Sequence, residues 1–523
     1  SFGGRFVANL SYSQPSVNVH DFAMIPRPDI PRSKFRIQTS HKTAINAGLL
    51  YPFYVDEVLP GDTFNMRATV FGRISTPIFP VMDNLYLESF FFFVPNRLVW
   101  KNWVKMMGQQ DNPSDSISYV VPTVTGVHNY NTLGDFFGLP IALSIVSNAL
   151  PFRAYNLIFN EWFRDQNLVG SVPVNRDSDG PDNLADYVLR RRGKRHDYFT
   201  SALPWVQKFA ATPLPLGVSA PVVGTGAPSF TTASGTRWLA HSGGDDIWRA
   251  GGVTAAGTAT WATPNLVADL SAATAATINQ LRQAFQVQKL LERDARGGTR
   301  YTELVRSHFG VTSPDARLQR PEYIGGGRSV VQFEAIPQTS ATDATPQGKL
   351  SAAGTVLGSD HGFHYSSTEH GYIIGLLNVR ADMSYQQGQR RLWSRSTRFD
   401  FYFPVFANLG EQAILNREIY YQNSAADNQV FGYQERWAEY RYHPAYVTGV
   451  MRSTSPVPLD AWHLAQRFTA LPTLNETFIG EDPPVARVVA VPSQAHFLID
   501  CFFDCTVARP MPMYSVPGLV DHF

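Results

Sequence analysis

The chain has 523 residues and a formal net charge of +1, with 17% charged residues against 44% hydrophobic; globular proteins average roughly 25% charged. That balance excludes a protein that neutralises a nucleic acid unaided, which needs a strong basic excess or a basic tail. The shortage of charge instead leaves surface suited to burial in a large core or against neighbouring subunits.

In chain order, residues 1–50 are mildly basic, with Arg5, Arg27, Arg32, Lys34, Arg36 and Lys42 against Asp21 and Asp29. Strand signals dominate residues 35–95. FNMRATVFGRI (64–74) alternates Phe64, Met66, Ala68 and Val70 with Asn65, Arg67 and Thr69, the pattern of a half-buried strand. LYLESFFFFV (85–94) ends in four consecutive Phe, which predicts a strand covered on both faces. Residues 96–325 read as an insertion with helical signals. NLADYVLRR (183–191) and RYTELVRSHFG (300–310) are short helix candidates. SAATAATINQLRQAFQVQKLLERDAR (271–296) predicts a long helix, opened by Ser271 and closed by Gly297 and Gly298, with an apolar stripe of Leu281, Ala284, Val287 and Leu291 widened by Ile278, Phe285 and Leu290. Strand signals return over 328–510 in SVVQFEAI (329–336), YIIGLLNV (372–379), RFDFYFPVF (398–406), RVVAV (487–491) and HFLIDCFFDCTV (496–507). Pro77, Pro95, Pro337, Pro404, Pro492 and Pro510 fall at strand ends, where breakers belong. Such a series fits a mainly β fold, an antiparallel two-sheet barrel with the jelly roll as the leading choice.

Residues 217–266 differ from everything around them. Thirty of the fifty are Gly, Ala, Ser or Thr, and the charges are Arg237, Asp245, Asp246 and Arg249. So little apolar bulk predicts a surface excursion or loop. Cys501 and Cys505 would lie about 13 Å apart on one strand face, too far for a disulfide, and read as buried thiols in a reducing compartment. No stretch reads as a signal peptide or membrane span; the apolar run 136–152 is broken by Gly138, Pro140, Asn148 and Pro151.

Chemistry is sparse. SDHGFHYSSTEHGY (359–372) gathers His361, His364, Glu369 and His370, a candidate metal or acid–base cluster, or plain polar residues flanking a strand. The pairs Asp245–Asp246 and Glu481–Asp482 sit beside Gly or Pro as solvated turns would. The strongest basic run is RRRGKR: Arg190, Arg191, Arg192, Lys194 and Arg195, followed by Tyr198, Phe199 and Trp205. Cations beside rings fit phosphate binding with base stacking; a solvated face or salt bridges to a neighbouring subunit fit as well. A second strip, Arg293, Arg296 and Arg300, is interleaved with Glu292 and Asp294 and predicts internal pairing. Of the 44 basic residues 36 are Arg, which suits buried contacts and phosphate but also follows from a GC-rich genome.

Three long blocks then carry a resemblance: SYSQPSVNVHDFAMIPRPDIPRSKF near the start, ATAATINQLRQAFQVQKLLERDARGGTRY in the middle, and SHFGVTSPDARLQRPEYIGG after it, with RRGKRHDYFTSALPW in agreement. They resemble the major capsid proteins of microviruses, in particular the gokushovirus branch, along the whole chain except 217–266. The resemblance implies a single eight-stranded antiparallel jelly roll with long, partly helical loop insertions. It divides the chain into 1–95 (N-terminal arm and first strands), 96–325 (the insertion, with 217–266 as a protrusion) and 326–523 (remaining strands and C-terminal arm). It further implies a T=1 icosahedral homo-oligomer around circular single-stranded DNA, found in the virion and assembled in the bacterial host cytoplasm. The partners it implies are a small basic DNA-binding protein, a minor pilot protein, an internal scaffolding protein and a host surface receptor met at threefold protrusions. It supplies no catalytic residue, metal or cofactor. Within this reading Trp238, Asp245, Trp248 and Trp261 are the candidate attachment residues, and the 190–195 run the candidate DNA contact. Two other classes fit the residues less well: a monomeric glycan-binding β-sandwich stacking sugars on the tryptophans, and a hydrolase built on the histidine cluster.

Overall fold

The structure, a computed structural model, describes residues 31–210, 212, 222–224, 229–232, 235–238, 260–261, 266–268 and 278–514. Nine long strands build its centre: β1 Ser33–Ile45, β2 Tyr51–Val58, β3 Thr63–Ile74, β4 Leu85–Pro95, β5 Glu322–Val330, β6 Gln332–Pro337, β7 Leu350–Ser366, β8 Gly371–Ala381 and β9 Phe497–Arg509. Eight of them run in the order β1-β9-β3-β7-β5-β4-β8-β2, all antiparallel, with β6 added on β7. The β7–β5 link is a single register pair, Gly325 with Phe363. The eight therefore divide into two four-stranded sheets, β1-β9-β3-β7 and β5-β4-β8-β2, the nearly closed barrel of a jelly roll.

Side-chain period explains how the two sheets differ. On β3 the alternating residues Phe64, Met66, Ala68 and Val70 are buried and their neighbours lie outside. Along β9, Phe497, Ile499, Cys501, Phe503, Cys505 and Val507 do the same. The outer face of this sheet is polar, with ion pairs Arg36–Asp504 at 2.7 Å and Lys42–Asp500 at 3.0 Å. On β4 the Phe run is buried on both faces, as predicted. Phe91 and Phe93 point into the barrel, where Phe91 meets Phe53 and Phe363 at ring separations of 5.4 and 4.9 Å. Phe92 and Val94 point outward into a second core with Trp100, Phe152, Tyr155 and Ile158. Fully burying each such ring contributes about 1.5–3 kcal/mol. Cys501 and Cys505 are unbridged and buried, and burial pushes their thiols up to about 12 and about 11.

The second core is the root of the β4–β5 connection. Its helix α1, Leu150–Ile158, lies inside that core and continues as one π turn, Phe159–Phe163. Two more helices follow, α2 Ile278–Gly297 and α3 Tyr301–Phe309, the latter ended by Gly310 at φ +71°. Three readings change, and one is met only over its described part, Ile278–Gly297. NLADYVLRR forms only the 3-10 turn Leu184–Asp186, because Tyr187 is drawn into the second core. The start expected at Ser271 lies outside the described residues, and the apolar stripe of α2 stays largely exposed, Ile278 at 70% and Phe285 at 62%. RFDFYFPVF is not a strand but two 3-10 turns, Arg398–Asp400 and Pro404–Phe406. Its ring content favours strands, but Asp400 takes the Ser396 and Thr397 N–H groups at 3.0 and 2.7 Å, which closes a turn instead. RVVAV begins at the end of the turn Val485–Arg487, and a lone bridge from Val489 to Pro77 replaces a ladder.

Candidate functional site

The basic run is an extended strap. Leu50 N–H donates to the Arg190 carbonyl at 2.9 Å and Arg192 N–H to Gly48 at 2.9 Å; Glu481 N–H donates to Arg192 at 2.7 Å and Lys194 N–H to Ile479 at 2.8 Å. Extended backbone sends alternate side chains to opposite sides. Arg191 and Arg195 are exposed and pair with Asp482 at 2.8 Å and Asp382 at 3.1 Å. Arg190 is half-buried and donates to the Asp186 carbonyl at 3.0 Å. Arg192 is held by Glu88, and its guanidinium carbon lies 4.7 Å over the Phe90 ring. Lys194 is buried with its ammonium 4.6 Å over Phe478. Burial pushes both Arg192 and Lys194 below their ordinary ranges. Part of the run thus serves the fold, a use that a count of charges cannot reveal.

Glu88 is the hub of this region. It faces three guanidiniums: Arg192 in direct contact, Arg380 at 3.1 Å and Arg328 at 3.4 Å. Burial raises its carboxyl, but the guanidiniums outweigh that and hold it below the ordinary range. Glu481 behaves oppositely. Its place beside Asp482 and Pro483 predicts a solvated turn, yet its side chain is wholly buried and Oε2 has no hydrogen-bond partner among the described residues. Burial pushes it up to about 7 despite Lys194, Arg380 and Arg192 nearby.

The histidine cluster does not converge. His361 lies within β7, buried, with Ser89 Oγ 2.6 Å from Nδ1 and Ser329 Oγ 2.8 Å from Nε2. Both ring nitrogens are occupied, and burial lowers its pKa. His364 is exposed, Glu369 is bound bidentately by Arg97 at 2.5 and 2.9 Å, and His370 packs edge-on against Trp103. Among the described residues no three His, Cys, Asp or Glu side chains gather to hold a metal ion, and no helix is long and apolar enough to cross a membrane. The strip at 290–301 is paired internally, though not within itself. Arg296 binds Glu411 and Glu435 at 2.5 and 2.8 Å, Arg300 binds Glu303 at 2.9 Å, and Asp294 takes His308 at 2.7 Å.

Of the attachment candidates, Trp238 ends the strand Gly235–Trp238 and Trp261 ends Thr260–Trp261; both strands flank Ser229–Thr232 in a three-stranded sheet. Asp245 and Trp248 lie outside the described residues. Sequence reasoning missed an exposed aromatic flank: Trp393 is 73%, Phe399 67% and Val405 87% exposed. Its signal was present as RFDFYFPVF, which an unpartnered alternating pattern made look like a strand. Patches of this kind on a soluble protein mark interaction surfaces.

A two-sheet barrel whose candidate catalytic groups are dispersed, and whose flanks carry uncovered rings, is a building element. The sequence profile of the capsid protein (F protein) family of phages matches residues 23–519, and the chain belongs to that family. It is 48% identical to the capsid protein VP1 of Bdellovibrio phage phiMH2K, covering 97% of this chain and 99% of the relative. It is 41% identical to capsid protein VP1 of Chlamydia phage 1, at 97% and 98% coverage, and 40% identical to that of Spiroplasma virus 4, at 97% and 99%. The resemblance drawn from the motif blocks is borne out. The chain is a structural major capsid protein, not an enzyme; its place is the virion, and it assembles with copies of itself into a shell.

Proposed function

We propose that sixty copies close a T=1 icosahedral shell around a circular single-stranded DNA genome, assembled in the bacterial cytoplasm, with 217–266 raised as a threefold protrusion that meets the host surface. The observation that carries the shell reading is the uncovered apolar surface of the single chain: the flank at 392–409 and the stripe of α2. A second copy is the natural cover for rings that no described residue of the same chain buries, since hydrophobic burial drives association. Trp393→Glu with Phe399→Glu tests it. The double variant is expected to keep its circular dichroism and lose closed particles in electron micrographs; normal particles would refute it.

Attachment is assigned to Trp238, Asp245, Trp248 and Trp261, and ring stacking on sugars is the chemistry those tryptophans offer. Deleting 217–266 should leave shells intact and stop adsorption to host cells; shells that adsorb normally would overturn the assignment. For genome contact, Arg190, Arg191, Arg192, Lys194 and Arg195 remain the candidates, with Arg191 and Arg195 the accessible members. The near-neutral chain leaves most of the countercharge to a small basic DNA-binding protein. A minor pilot protein and an internal scaffolding protein complete the partners.

A further inference from the structure

A cleft of about 1050 Å³ opens where the insertion folds back on the barrel. Its lining is charged in one sense. Arg164, Arg192, Lys194, Arg195, Arg306 and Arg380 reach it, while Asp165 and Glu303 are its carboxylates, and Glu303 is taken by Arg300. Arg190 and Arg191 do not line it, so the cleft selects the second half of the basic strap. Phe90, Trp162, Phe163 and Tyr323 also line it, with Arg192 lying over the Phe90 and Phe163 rings at 4.7 and 5.7 Å. Tyr323 is 45% exposed, and its ring lies 6.1 Å from Trp162.

The protein cancels only part of the positive charge of this cleft, pairing Arg195 with Asp382 at 3.1 Å and Arg192 with Glu88. Glu88 is one carboxylate shared by three guanidiniums, Arg192, Arg328 and Arg380. Lys194 has no hydrogen bond or ion pair from its ammonium among the described residues, only the Phe478 ring at 4.6 Å. Arg306 is exposed and likewise has no carboxylate partner among them. Arg164 donates Nη1 to the Val169 carbonyl at 3.0 Å, while its buried Nε has no partner. The buried Nε of Arg300 also has none. Uncompensated cations partly withdrawn from water favour an anion, and Arg presents its donors in a fork that fits phosphate oxygens. An acidic peptide would answer the charge but not the rings. Phosphates together with flat bases answer both. The volume lies just above the roughly 300–1,000 Å³ of small-molecule pockets, which suits a stretch of chain.

We propose that this cleft binds a short stretch of single-stranded DNA, with phosphates at Arg164, Lys194, Arg195 and Arg306 and a base against Tyr323 and Trp162. The inference rests on the single-stranded-DNA reading above and gives it a location. The test is anisotropy of a fluorescein-labelled dT10 oligonucleotide titrated with the full-length chain across a range of NaCl concentrations. Arg195→Gln with Arg306→Gln, both exposed, is expected to weaken binding and to reduce the slope of log K against log salt by about 1.4, or about 0.7 for each lost phosphate contact. Tyr323→Ala is expected to weaken dT10 roughly fivefold or more while leaving an abasic deoxyribose-phosphate chain of equal length unaffected. Variants that bind dT10 with the affinity and salt slope of the unaltered chain would overturn the cleft. Binding of polyglutamate without binding of dT10 would overturn it in favour of an acidic polypeptide. Nucleic acid in purified particles separates the two readings. Particles of the unaltered chain without DNA sink the genome reading itself. DNA-filled particles with unaffected variants sink the cleft alone.

Discussion

Replacing Arg153 by Met should be among the most damaging single changes in the chain. The guanidinium sits in the second core at 0% side-chain exposure beside Asp182 at 1%. Nε and Nη2 each meet a carboxylate oxygen at 2.7 Å, Nη1 donates to the Val99 carbonyl at 3.3 Å, and Nη2 also donates to Ser178 at 3.0 Å. Tyr187 donates its hydroxyl to the same carboxylate at 2.5 Å. The pair ties α1 to the loop at 176–182 and so fastens two parts of the insertion to each other. Two charge-assisted hydrogen bonds at about 1.5–3 kcal/mol each give roughly 3–6 kcal/mol. Removing one partner of a buried pair costs about 3–5 kcal/mol, because the other charge stays buried. Arg153→Met should therefore lose about 3–5 kcal/mol, read from guanidinium denaturation of the dissociated subunit followed by tryptophan fluorescence. A triple variant, Arg153→Met, Asp182→Leu and Tyr187→Phe, removes the orphaned carboxylate and hydroxyl, leaves only the Val99 and Ser178 carbonyls without that donor, and should recover most of that loss. A loss below about 1 kcal/mol for the single change would match an exposed pair and refute the reasoning, as would a triple variant no better than the single one.

Two further expectations concern pH and packing. Glu481, raised from 4.5 to about 7 in the fold, keeps its proton there after the unfolded chain has lost it. Its contribution is full below pH 4.5 and falls as pH rises toward 7, by about 1.4 kcal/mol per pH unit. Subtracting the stability profile of Glu481→Gln from that of the unaltered chain between pH 4 and 8 should isolate a falling step on the order of 3 kcal/mol; a flat or rising difference would contradict it. Gly325 stands where the two sheets join, and a Cβ there would lie 2.5 Å from the Gly362 carbonyl oxygen and 2.7 Å from Phe363 Cβ. Gly325→Ala should cost about 1–3 kcal/mol by overpacking, measured as a shift in denaturation midpoint; an unshifted midpoint would show that the strands can part.

What could be read in advance depended on how local its cause is. The alternation of FNMRATVFGRI and the continuous rings of LYLESFFFFV are set by the two-residue period of a strand, so burial on one face or two was legible before any partner strand was known. The helix 301–309 was legible too, because Gly310 can take the left-handed turn that ends it. RFDFYFPVF has the same composition as a strand, and nothing within it says that no neighbour offers a ladder. Glu481 looks like a solvated turn residue and His361 like a candidate ligand or a strand-flanking residue, because a polar side chain carries no mark of its depth.

Sequence by itself determined the class of fold, the motif blocks that place the chain among phage capsid proteins, and a charge balance too even for packaging DNA alone. Tertiary structure decided which of those charges are spent. Within one basic run, Arg192 and Lys194 turn inward to Glu88 and the Phe478 ring while Arg191 and Arg195 stay outside. Only the approach of residues 164, 306 and 380 from distant parts of the chain gathers the rest into a cleft. Electrostatic energy depends on distances and burial in space, and neither is written in the order of the residues.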